Sequence, residues 1–213
     1  MKLLTIENAK TSKGASLGYL TGILYLAPYN IAYKEINLCT YSTKGCRSSC
    51  LYSAGRGVFK SIQEARILKT IHFIENQAGF IDQLQDDINA LKRKALKMGL
   101  KPAVRLNGTS DIDWQDIAAR LFFDNLDVQF YDYTKDLNRT SVYQNYDLTY
   151  SESETNRIEC ALLVERGFKV ARVKKGLIYY NGDDHDLRFL NESGYINLKP
   201  KGKAKKDLTG FVK

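Results

Sequence analysis

Three of the four cysteines, Cys39, Cys46 and Cys50, fall within twelve residues in a C-x6-C-x3-C pattern. Three soft thiolates in one segment suit zinc or an iron–sulfur cluster. Three protein ligands also leave one coordination position open. That suits catalysis, because structural sites are usually closed by a fourth ligand. The segment is rich in Thr, Ser, Gly and Lys, so it reads as a loop. The plainer alternative is a set of packing cysteines, since free Cys is often buried. Cys160 stands apart among Ile158, Ala161 and Leu162 and reads as a buried thiol.

Polar groups recur wherever an apolar run ends. The first such group is Arg105, Asn107, Gly108, Thr109, Ser110 and Asp111, followed by Asp113. Tyr131, Asp132, Tyr133 and Lys135 come next, then Ser151, Glu152, Ser153 and Glu154, and later Asp183, Asp184, His185, Asp186 and Arg188. In a parallel α/β sheet, functional residues collect where strands end, so a shared site is expected. The alternative is a set of hydrophilic loops in which Asp113 and Ser153 cap helices. Asp111, Asp132, Asp184 and His185 would suit Mg²⁺ or Mn²⁺ in a nuclease, although Asn181-Gly182-Asp183 is an ordinary turn sequence. Alternation puts Tyr131 and Tyr133 on one strand face and Asp132 on the other. Those rings would stack a base or pack against a helix. His72 lies among apolar neighbours and reads as structural.

The elements that must position these groups follow from periodicity. Thr21–Ala27 reads as a buried strand stopped by Pro28. A helix is expected to open near Ser61 with Glu64 completing a capping box, its apolar rhythm running through Ile67, Leu68 and Ile71. A second helix covers Ala78 to Met98 and ends at Gly99. Strands are then expected over 102–108, 127–132, 146–150 and 168–173, with helices over 113–123 and 154–166. Beyond Gly176 the pattern mixes strand and loop. Strands alternating with helices imply βαβ units and a parallel sheet, forming an open sheet or a partial (β/α) barrel.

The chain has 213 residues, 44% of them apolar and 26% charged, an ordinary globular balance. No linker or repeat divides it, so one α/β domain over 1–213 is expected, with a basic tail from about 198. No apolar run reaches a membrane span and the start is no signal peptide, which favours the cytoplasm. The net charge of +8 favours an anionic partner, either nucleic acid or a phosphorylated small molecule. Lys199, Lys201, Lys203, Lys205 and Lys206, with Lys92-Arg93-Lys94, would follow a phosphate backbone or simply face solvent. Oligomeric state is left open.

Several runs resemble one phage-borne family, gene product 88. They are Asn8-Ala9-Lys10-Thr11, Cys39 with Gly45-Cys46-Arg47-Ser48-Ser49-Cys50-Leu51, Ser53-Ala54-Gly55-Arg56-Gly57 and Arg105 to Asp111. Gln129 to Lys135, Asp183 to Phe189, Lys201 to Asp207 and Gly210-Phe211-Val212 belong to the same likeness. It spans nearly the whole chain and implies a host-cell cytoplasmic protein, with no activity attached. A second, weaker resemblance is to radical S-adenosylmethionine enzymes, which carry three cysteines after the first strand of a partial barrel. It implies a [4Fe–4S] cluster on Cys39, Cys46 and Cys50. Asn107, Gly108, Ser110 and Asp111 would hold the cofactor's amino acid part, and Lys135, Ser151 and Ser153 its ribose or carboxylate. Tyr131, Asp132, Asp184 and His185 would then face substrate, a nucleic acid or nucleotide. The alternatives are a non-catalytic nucleic-acid-binding protein with structural zinc and the divalent-metal nuclease.

Overall fold

The computed structural model describes residues 1–6, 11–176 and 181–213, which leaves the Asn8-Ala9-Lys10 motif outside the described residues. At its centre lies one sheet of seven strands: β1 (Leu4–Thr5), β2 (Tyr19–Leu24), β3 (Lys101–Arg105), β4 (Gln129–Thr134), β5 (Tyr146–Ser151), β6 (Lys169–Val173) and β7 (Gly194–Leu198). Their spatial order is their chain order. β1 runs antiparallel to β2, and every later pair of neighbours is parallel. The architecture is therefore a single α/β domain with a mostly parallel sheet, as the alternating pattern implied.

The sheet does not close into a barrel. β1 turns back along the outer edge of β2, pairing Leu4 with Leu24 and Thr5 with Ile23, and so occupies the edge a closing strand would need. The two-residue β1 and the late β7 carried too little periodicity to be read from sequence.

Among the described residues, seven α-helices accompany the sheet: α1 (Thr11–Ala15), α2 (Lys44–Ser48), α3 (Lys60–Glu75), α4 (Gln77–Lys97), α5 (Trp114–Ile117), α6 (Arg120–Phe123) and α7 (Arg157–Glu165). The expected helix near Ala78–Met98 is α4, and it buries Phe80, Ile81, Leu84, Ile88, Leu91 and Ala95 along one stripe. Each large side chain buried this way contributes about 1.5–3 kcal/mol. α3 opens earlier than expected, at Lys60, with Phe59 at the cap position and no side-chain cap bond. Ser61 therefore lies inside the first turn, and the capping box does not form. The buried face of α3 is Lys69, Thr70 and Phe73 rather than the Leu68 side, because Lys69 reaches across to donate to the Leu3 carbonyl at 2.7 Å. The helix expected over 113–123 breaks at Ala118 into α5 and α6.

Strand alternation sorts the two sheet faces. Leu20, Leu24, Val104, Phe130 and Tyr146 turn to the face covered by α4 and by the α5–α6 region, where the main core lies. Ala103 and Tyr131 turn to the opposite face and pack against Leu187, with Tyr19 and Phe189 beside them. That second face is where the strand ends open into a cavity.

Candidate active site

The cavity, about 360 Å³, sits at the C-terminal edge of the parallel strands. All three clustered cysteines line it, although Cys39 and Cys50 are separated by eleven positions of chain. Two connections bring them there. Cys39 sits beside the β3 exit, its Sγ 3.6 Å from the Thr109 carbonyl and accepting the Tyr29 N–H at 3.4 Å. Cys46 rides on α2, whose first turn is held from across the sheet by Glu154. One Glu154 oxygen accepts the Gly45 N–H at 2.7 Å and the other accepts the Thr43 hydroxyl at 2.8 Å. Thr43 in turn caps the Cys46 N–H at 3.1 Å. A Cβ at Gly45 would lie 2.4 Å from Thr209 Oγ1 and 2.6 Å from Phe211 Cβ, so only glycine fits between these segments. The expected loop thus contains a short helix.

The thiols are tuned by their enclosure and by one another. Burial pushes the Cys39 thiol up to about 12, and the neighbouring Cys50 and Cys46 push it the same way against the Tyr29 N–H. Burial also raises Cys50, assisted by Cys46 and opposed by the Tyr52 N–H and Lys135. Lys135 is the local counter-charge. Burial disfavours its ammonium, but Cys46, to which it hydrogen-bonds, and Asp111 hold it above the ordinary lysine value.

The β3 exit is a tightly braced turn. Asn107 Oδ1 accepts from the Ser110 hydroxyl at 2.9 Å, the Ile112 N–H at 3.0 Å and the Trp114 indole at 3.2 Å, while its Nδ2 donates to the Ile112 carbonyl at 2.9 Å. Gly108 donates its N–H to the Leu24 carbonyl at 2.9 Å. Asp111 accepts the Lys135 N–H at 2.8 Å on one oxygen and pairs with Arg139 at 2.9 Å on the other. The side chains of Asn107 and Asp111 are thereby committed to the protein. What this turn offers the cavity is mainly backbone and the rim of Gly108, Thr109 and Ser110.

The remaining sequence-predicted residues divide. Lys135, Ser151 and His185 line the cavity with the cysteines. Ser153 is buried and contacts Thr155 at 3.3 Å, outside the cavity lining. Asp132 faces the helix-packed side, as alternation requires, and accepts the Asn107 N–H at 2.6 Å and the Tyr146 hydroxyl at 3.1 Å. Burial lifts its carboxyl to about 7. Tyr131 lies under the floor, where its hydroxyl meets Asp186 at 3.3 Å. Asp184 is exposed and accepts from Asn181 at 2.6 Å, which is the turn contact that Asn181-Gly182-Asp183 suggested. The structure therefore does not gather Asp111, Asp132, Asp184 and His185 around one point. Among the described residues, no three His, Cys, Asp or Glu side chains stand in position to hold a single ion.

Several residues of this site had no role assigned from sequence. The floor is a buried ion pair, Arg105 to Asp186 at 3.0 Å, with Tyr133 stacked 4.4 Å from the guanidinium. Glu152 lines the far wall, and Glu154 holds the cysteine helix. Such pairings join segments up to 111 residues apart and leave no periodic trace. The residues after β7 were read as a solvated or phosphate-following tail. Among them Lys203, Lys205 and Lys206 are exposed, and the segment also folds back over the strand ends: Phe211 lines the cavity, and Lys213 pairs its backbone with Val173 and Lys175 at 2.9 and 2.8 Å.

Residues 1–213 match the family model of gene product 88. The chain belongs to the gene product 88 family. No curated protein and no solved structure matches it. In this family member the cysteine segment, the braced turn after β3 and the Asp183–Asp186 segment meet at one cavity. No helix among the described residues is long and apolar enough to cross a membrane.

Proposed function

We propose that this gene product 88 chain is an enzyme whose reaction takes place in the strand-end cavity, with Cys39, Cys46 and Cys50 holding a [4Fe–4S] cluster and S-adenosylmethionine as its partner cofactor. One observation carries the reading: the three thiols of one twelve-residue segment line a single cavity together with strand-end polar groups. The donor set fits the group. Three thiolates leave one iron open, and the buried Lys135 ammonium offsets the negative charge they bring. When bound, such a cluster would be held by Cys39, Cys46 and Cys50 and would supply single electrons to the reaction.

The chain's own residues then bind and exclude. Gly108 lets the β3 turn pack against the Leu24 backbone and the Tyr25 ring, and the Ser151 and Ser110 hydroxyls offer hydrogen bonds in the cavity. Asp132 acts as a positioning residue by holding the Asn107 backbone. Lys13, Lys199 and Lys201 lie at the cavity beside the Arg105–Asp186 floor, and this basic side favours an anionic substrate, a nucleotide or nucleic acid.

The deciding experiment is iron and sulfide content of anaerobically purified protein, compared with a Cys39/Cys46/Cys50→Ala variant. Iron and sulfide in the parent, lost in the variant with the fold intact, are expected. Stoichiometric zinc without iron would turn the site into a structural one, and an absence of any metal would sink the cofactor assignment.

A further inference from the structure

Glu152 closes the far wall of the cavity at the end of β5, only 5% exposed. Its Oε2 is buried with no hydrogen-bond partner among the described residues. The other oxygen has the Lys213 ammonium at 4.0 Å, too far for a hydrogen bond, on a lysine side chain that is 43% exposed. The carboxylate acts on the Tyr195 hydroxyl and the Cys160 thiol, raising both above their ordinary values after burial. A carboxylate oxygen enclosed without a donor is costly, by about 1–3 kcal/mol or more, unless something brings it one. Only one other cavity-lining side chain carries such an atom among the described residues, His185 with its Nδ1. Burial first, then the Arg188 guanidinium, holds that imidazole below the ordinary histidine value and so neutral near pH 7. As the Nε2–H tautomer it presents a second acceptor.

Two unsatisfied acceptors lining the one cavity, a carboxylate oxygen and an imidazole nitrogen, describe a complement that brings N–H donors. We propose that Glu152 is a substrate-reading residue whose carboxylate receives a cationic N–H group of the substrate, an amidine-type edge or an ammonium, while His185 accepts a further N–H. This rests on the cavity being the reaction site and is independent of the cluster. It divides the cavity: the basic side with Lys13, Lys199 and Lys201 takes the anionic part of the substrate, and the Glu152 wall takes its nitrogen-bearing part. The Lys213 ammonium, 4.0 Å from that carboxylate, is the chain's own cation there and would compete with such a nitrogen.

The test titrates the full chain at neutral pH with benzamidine, n-butylamine and the neutral acetophenone, using calorimetry or chemical-shift changes. At least one cationic probe should bind about tenfold more tightly than acetophenone, and Glu152→Gln should abolish that advantage. Preference for benzamidine would point to the planar edge of a nucleobase, and preference for butylamine to an aliphatic amine. Lys213→Met, which removes the competing cation and leaves Glu152 in place, should strengthen cationic binding several-fold, and it decides the matter if Glu152→Gln does not fold. Equal affinities, no binding of either cation, or selectivity that survives Glu152→Gln would overturn the proposal. Iron content is read on the same preparations. Selectivity without iron would leave the Glu152 assignment standing and remove only the cluster.

Discussion

Asp132 shows how a single buried carboxyl can shape a site it never touches. It is fully enclosed, accepts the Asn107 N–H at 2.6 Å and is raised from 3.8 to about 7, first by burial and against the pull of the Asn107 N–H and Arg105. A carboxyl raised on folding contributes stability that is fully present below its unfolded value and is lost as pH climbs toward its folded value. Between about pH 4 and 7, Asp132 therefore makes the fold less stable with each step upward. Asp132→Asn should flatten that slope, narrowing the parent's decline by at least about 1 kcal/mol, as read by urea denaturation at several pH values. An unchanged slope would mean that the carboxylate is stabilised in a way its contacts do not show. Gly108 makes the complementary point about space. A Cβ there would lie 2.5 Å from the Leu24 carbonyl oxygen and 2.7 Å from the Tyr25 ring. The carbonyl belongs to a paired strand and cannot yield, so Gly108→Ala should cost about 2 kcal/mol or more in the same measurement.

The cysteine helix α2 is too short to hold itself, and its position depends on a carboxylate that arrives from beyond β5. Removing that support by Glu154→Ala strips acceptors from the buried Gly45 N–H and the half-buried Thr43 hydroxyl. Global stability should fall by only about 1 kcal/mol, as for the loss of an ordinary cap. Local order should suffer more: alkylation of Cys46 by iodoacetamide, followed by mass spectrometry, should quicken several-fold while Cys160, on the buried face of α7, stays inert. The same dependence explains what was legible beforehand. The stripe of α4, the apolar runs of β2 to β6 and the polar strand exits are local patterns, and each appeared in the sequence within a few residues of its place. The α3 cap was misread because a Ser-x-x-Glu pattern has no power to exclude a start one residue earlier. Closure of the sheet was decided by β1, two residues that pair across the β2 edge and carry no period at all. The Glu154 brace, the Arg105–Asp186 floor and the folding back of residues 199–213 come from contacts between segments far apart in sequence. Nothing in the spacing of either partner announces them.

The whole chain carries +8, and the structure gives that charge a direction. Lys13, Lys199 and Lys201 lie at the cavity, and the turn of 3₁₀-helix over Gly202–Lys206 sets the exposed Lys203, Lys205 and Lys206 beside them. Asp183 disciplines the inner part of this patch, accepting from Lys13 through its carbonyl at 2.6 Å and from the Lys199 N–H and the Lys201 ammonium through its carboxylate. Lys203, Lys205 and Lys206 lie on the outer side, where their role would be to follow phosphates and not to read bases. If a nucleic acid is the substrate, its affinity should fall linearly with the logarithm of salt concentration, because each phosphate neutralised by a lysine releases a condensed cation. Replacing Lys203, Lys205 and Lys206 together by Gln should lower that slope by about 3 for duplex DNA and about 2 for single strands. Binding of a small ligand inside the cavity should be unaffected, since none of the three lines it. A slope that stays the same would place the phosphate track elsewhere on the surface, with Lys92-Arg93-Lys94 on α4 as the next segment to neutralise. A chain that shows no salt-dependent binding to either form would instead restrict the anionic partner to a single nucleotide, small enough to be held by Lys13, Lys199 and Lys201 alone.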